Sequence, residues 1–111
     1  MAIVKASVAR TALDVLVLRV DDPPIGNWLA DPVDGTGLLA VLREVDKQDE
    51  ETGRIAGIEI VDFLDFNRWD ELPKLDILWQ LPDWEPLPLE ELLKRLQREL
   101  RQRAPAAAKG A

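Results

Sequence analysis

The period of apolar and polar positions changes several times along this chain, and each change marks an element. Residues 14–20 (DVLVLRV) are dense in Val and Leu and read as a strand. Asp21, Asp22, Pro23 and Pro24 end it, because proline cannot donate to a strand ladder. Residues 1–10 alternate weakly and read as an edge strand. The stretch 25–36 (IGNWLADPVDGT) carries Gly, Asn, Asp and Pro at short intervals, which is loop chemistry. In 38–45 the positions from Leu38 to Leu42 are all apolar, the pattern of a strand hidden on both sides.

A polar segment, KQDEETG, comes next and ends in Gly53, a residue suited to positive φ. Residues 54–61 then return as a second strand. Ala56, Ile58 and Ile60 share one of its faces. Gly57 on the other face marks a bulge or a close backbone approach. Residues 62–72 (DFLDFNRWDEL) place Phe63, Phe66 and Trp69 three apart, as in a short helix or turn. Pro73, Pro82 and Pro86 punctuate residues 72–87, where LDILWQL reads as a brief extended piece. From Pro88 onward, Leu89, Leu92, Leu93, Leu96 and Leu100 form one face of a helix, with acids in its first turn and arginines toward its end.

The fold these elements predict is α+β. A small antiparallel sheet is centred on a hairpin of 38–45 and 54–61 and packed by a C-terminal amphipathic helix (88–103). One domain over 1–104 precedes a flexible tail at 105–111. A single helix is too small a cover for this much apolar strand surface. The segment 63–86 or a second copy of the chain must cover the other face, and a twofold homodimer is the expectation, being the commonest closed oligomer.

Length and composition sharpen this picture mainly by what they exclude. The 111 residues suffice for one core and not for two ordinary ones. No run reaches the roughly 18 apolar residues of a membrane span, and Lys5 and Arg10 break the start as a signal sequence. A cytoplasmic protein is the expectation. His, Cys and Tyr are absent, and Ser7 is the only serine. Imidazole bases, thiol nucleophiles and His- or Cys-bound metals are therefore excluded. The net charge of −7 is uneven: 94–111 carries +5 and 1–93 carries −12. An acidic body of that strength repels nucleic acid. The basic helix face reads as solvated.

Three groups of side chains are candidates for chemistry. Trp28, Trp69, Trp79 and Trp84 stand in loop-like contexts, either as anchors of a partner surface or as closures of a small core. Glu59 and Asp62 are a carboxylate pair for a cation or an acid–base step, or else Glu59 pairs with Arg43 or Arg54 across the hairpin. Asp46, Asp49, Glu50 and Glu51 lack the spacing of a calcium loop and read as a solvated turn; Asp62, Asp65, Asp70 and Glu71 are hard-cation ligands from a helix or turn or else, with no His to assist, surface charge and capping. No cofactor and no metal ligand set is expected.

The run 53–62 (GRIAGIEIVD), with 14–20 and 38–46 before it, resembles a family of short bacterial proteins of unknown function. There a D-x-L-rich strand precedes a second strand, an acidic turn with Gly, and a run of this type. About half the chain is covered. This sequence departs from the pattern in its insertion at 21–36, its extension from Phe63, and the lack of an aromatic in the first strand. The resemblance implies a small antiparallel sheet and no established activity. Some such proteins are encoded beside small toxin-like proteins, which implies an antitoxin-like binding role. The expected function is a non-catalytic protein-interaction or structural module, homodimeric. An antitoxin-like partner and a carboxylate-dependent metal-assisted enzyme are the alternatives.

Overall fold

The structure, a computed structural model, describes residues 2–22, 24–33 and 35–110, with side chains as far as Arg103. Six strands form one mixed sheet: β1 (Ala2–Arg10), β2 (Val15–Asp22), β3 (Asn27–Pro32), β4 (Leu39–Val45), β5 (Glu51–Val61) and β6 (Ile77–Gln80). Short 3-10 turns at Phe63–Asp65 and Trp69–Glu71 lead into β6, and one helix, α1 (Leu89–Gly110), closes the chain. The tail expected at 105–111 lies outside the residues whose side chains are described. The strand order is β3-β4-β5-β2-β1-β6.

Three expectations about the strands need correcting. The sheet is not purely antiparallel, because β6 runs parallel to β1, pairing Val4 with Trp79. That same pairing makes β1 an interior strand rather than an edge. The stretch 25–36 is not all loop: 27–32 pairs antiparallel with β4, Trp28 opposite Glu44 and Ala30 opposite Leu42. Its turn residues set the ends of that strand, and cross-strand pairing to the apolar β4 overrides their loop preference.

One sheet face holds the core. Leu16, Leu18, Val20, Leu39, Val41, Ile58 and Ile60 meet Phe63, Phe66, Trp79 and the helix residues Leu89, Leu92, Leu93 and Leu96. Helix and 63–81 segment therefore share this face instead of covering one face each. On the opposite side of β4, Ala40 and Leu42 are nonetheless only 3% exposed within the single chain. The double-sided burial read from 38–42 thus needs no second copy at residues 39–42, while Leu38 stays exposed.

Between β4 and β5 the register slips, from Leu42 opposite Gly57 to Arg43 opposite Ile55, leaving Ala56 as the extra residue of a bulge. Gly57 is also where β5 parts from β2: the last pair is Arg19 with Gly57. A Cβ built on Gly57 would lie 2.1 Å from the Leu18 carbonyl oxygen. Beyond the bend, Gly53, Arg54 and Ile55 line a cavity of about 220 Å³ with Val4, Val20 and Ile77.

Polar ties hold the helix to the rest. Gln97 is buried, and its Nε2 donates to the carbonyls of Phe63 (2.7 Å) and Phe66 (2.8 Å). Arg101 Nε donates to the Leu64 carbonyl at 2.7 Å. From the other side, the Leu64 N–H donates to the Asp14 carboxylate at 2.9 Å. The Phe63–Asp65 turn is thus clamped between the β1–β2 turn and α1. Replacing Gln97 with leucine leaves the buried Phe66 carbonyl without this donor. We expect a loss of about 1–3 kcal/mol in urea unfolding, the cost of an unmet buried polar group.

Candidate functional site

The sequence candidates scatter over the molecule. Trp79 is 0% exposed and sits at the centre of the core, so it is no part of a partner surface. Trp69 and Trp84 are half-buried and already engaged. Trp69 meets the Phe66 ring edge-on at 4.9 Å between centroids, with Lys94 Nζ at 5.5 Å. The Arg95 guanidinium lies 3.9 Å from the Trp84 centroid. The first basic residues of α1 thus serve as cation–π straps inside the chain. Trp28 alone of the four is exposed, at 42%, and makes none of these ring or cation contacts.

Arg95 also bridges to Glu85, Nη1 to Oε1 at 2.9 Å. A hydrogen bond from its own backbone N–H and then the Arg95 hydrogen bond hold the Glu85 carboxyl below the usual glutamate range; desolvation opposes them, and the Arg95 charge adds last. A lowered folded pKa means the contribution is present above the unfolded value and fades as pH falls through the folded one. In an NMR titration the Glu85 midpoint should rise toward the ordinary value in Arg95→Met. An unchanged midpoint counts against the pairing.

Glu59 stands mid-sheet, half-buried, between Val17 on β2 and Ala40 on β4. Asp62 leaves the sheet with φ of 55° and opens the Phe63–Asp65 turn. The arginines expected opposite Glu59 are engaged elsewhere: Arg43 meets Asp31 at 2.8 Å and Arg54 meets Glu44 at 3.3 Å. The acidic run after β4 is a turn. Asp46 Oδ1 accepts the N–H groups of Gln48 and Glu50 at 2.8 and 3.0 Å. Among the described residues no group of three or more carboxylates is placed to hold a metal ion.

The exposed apolar surface, by contrast, is concentrated. The exposed large hydrophobic side chains among the described residues are Ile3, Leu13, Trp28, Leu29, Val33 and Leu38. Four of those six lie on β3 and the turn after it, with the consecutive Trp28 and Leu29 on opposite faces of the sheet, so exposed apolar side chains flank the β3 edge on both sides. β3 is an edge strand whose six residues are all exposed. The opposite edge is closed, since Trp79 of β6 exchanges backbone hydrogen bonds with Leu87 (2.8 and 2.9 Å). Among the described residues the β3 edge has no such cover. The Val33 N–H donates to the Leu39 carbonyl at 2.9 Å. By the alternation of an antiparallel pair, Leu29 and Asp31 also bond toward β4. Trp28 and Ala30 therefore turn their N–H and C=O groups outward.

No protein-family model, curated protein or solved structure matches this chain. The resemblance carried by 53–62 rests on the sequence pattern alone. No described helix is long and apolar enough to cross a membrane.

Proposed function

We propose that this protein is a non-catalytic protein-interaction module that works as a homodimer in the cytoplasm, with the β3 corner as its contact surface. The observation that carries the reading is the coincidence of an open strand edge with Trp28 and Leu29, 42% and 54% exposed. Long apolar edges are a pairing liability that chains blunt with Lys, proline or cover. Here Pro32, at the far end, and the charge of Asp31 are what blunt it, and Asp31 is paired with Arg43, which also reaches Glu51 at 3.8 Å. An edge of this kind gains backbone hydrogen bonds and apolar burial together when a strand is added.

The test is the solution mass. Light scattering at micromolar concentration should give twice the 12.5 kDa of one chain. Leu29→Asp should return the mass to one chain with the far-UV spectrum unchanged, since the side chain is exposed. Trp28→Ala should weaken self-association by roughly tenfold or more, as for an aromatic interface anchor. A native mass of one chain throughout that range would remove the homodimer.

A further inference from the structure

The edge of β3 specifies how a second copy would sit on it, and this inference rests on the homodimer reading above. We infer that two chains pair β3 to β3 antiparallel about a twofold axis at Leu29, joining the two sheets into one.

The register is set by which groups face outward. Only Trp28, Ala30 and Pro32 of β3 direct backbone groups away from β4. A twofold at Leu29 sets Trp28 opposite Ala30 of the second copy, and Ala30 opposite its Trp28. Every outward N–H and C=O of these two residues then finds a partner. Pro32, which has no N–H, falls at the end of the ladder, opposite Gly26. The side chains agree with the same register. Leu29 meets Leu29 of the second copy. Each Trp28 ring lies beside the small Ala30, and the two indoles are diagonal neighbours within aromatic reach. Asn27 faces Asp31, an amide donor against a carboxylate whose charge Arg43 already offsets at 2.8 Å. The two Asp31 carboxylates are kept at opposite ends of the ladder.

The neighbouring registers are worse for definite reasons. A twofold at Ala30 sets Pro32 opposite Trp28, losing donors, and puts Leu29 against Asp31. A twofold at Trp28 runs the ladder out to Gly26, beyond the strand, and puts Leu29 against the Asn27 amide. Only the Leu29 register joins apolar to apolar and polar to polar while keeping proline out of the centre.

Cysteine scanning of the full chain reads the register directly, because the native chain has no cysteine to interfere. Residues opposed in a non-hydrogen-bonded antiparallel pair have Cα atoms about 4.5 Å apart, inside the roughly 4.4–6.8 Å range of disulfides. Leu29→Cys should form a disulfide dimer under mild oxidation, seen on a non-reducing gel and lost with reductant. Ala30→Cys and Trp28→Cys should form little, since neither residue opposes itself. All three sites are exposed, so each variant is expected to fold. Cross-linking strongest at Ala30→Cys or Trp28→Cys overturns the register. A native mass of two chains with no linkage at any of the three overturns the edge pairing yet keeps the homodimer. A native mass of one chain removes both. A Leu29→Cys adduct with a different polypeptide formed in cells gives the edge to a foreign strand and overturns self-pairing.

Discussion

Gly57→Ala is expected to lower the stability of this protein by more than about 3 kcal/mol, the upper end of what overpacking costs. The added methyl would lie 2.1 Å from the Leu18 carbonyl oxygen and 3.2 Å from the Arg19 Cα. Both obstacles are backbone atoms of the adjacent strand, so no side-chain rotation relieves them. Relief requires β5 to move off β2 where the two make their last pair, beside the bulge at Ala56. Against a total of roughly 5–15 kcal/mol for an ordinary domain, that is a large share. Gly35→Ala is the control: nothing lies within 4 Å of its added Cβ, and a change within about 0.5 kcal/mol is expected. Urea unfolding of the two variants and the native chain decides it. A Gly57→Ala midpoint equal to the native one would mean that the strands are not in this close contact.

Gly57 is legible in the sequence because a glycine inside an apolar strand run has few other uses. The α+β class, the brief extended piece around Trp79 and the helix face at Leu89–Leu96 are legible in the same way, from periodicity. Three features are not. The strand at 27–32 is hidden because Gly, Asn, Asp and Pro define its ends as well as a loop. Only its pairing to β4, a contact between distant positions, makes it a strand. The parallel pairing of β1 with β6 joins residues far apart in the chain, Ala2 with Ile77, and leaves no local trace. The clamp at Asp14, Leu64 and Gln97 escapes a sequence reading because a lone Gln on the edge of a Leu stripe resembles a solvent-facing residue. The one available signal is its position, one residue after Leu96 and four after Leu93, close to the apolar face.

The tryptophans divide by the same logic. Their number suggests one surface, but their neighbours separate them. Lys94 and Arg95, at the start of the basic half of α1, are spent on Trp69 and Trp84. Lys94 and Arg95 are thus an internal fastening of the helix. Trp28 makes no cation–π contact among the described residues and lies on the uncovered edge strand. Surface position and aromatic identity are both needed to single it out, and only the second is in the sequence.

Trp79 carries the other large expected effect. Its ring is fully buried beneath the helix face, and Trp79→Ala should cost about 3–5 kcal/mol through lost burial and the cavity left behind. Trp79→Phe should behave differently. The indole N–H is buried with no hydrogen-bond partner among the described residues. An unmet buried donor costs about 1–3 kcal/mol, and phenylalanine removes it while keeping much of the apolar volume. The volume lost and the donor relieved then act in opposite directions, and the net change should stay below about 1.5 kcal/mol. Its backbone is spared in both variants, so the exchange of hydrogen bonds with Leu87 that closes this sheet edge is retained. Urea midpoints for the pair measure the difference. Equal losses for Phe and Ala would mean that the N–H is bonded in solution and that Trp79 is held by its polar end as much as by its ring.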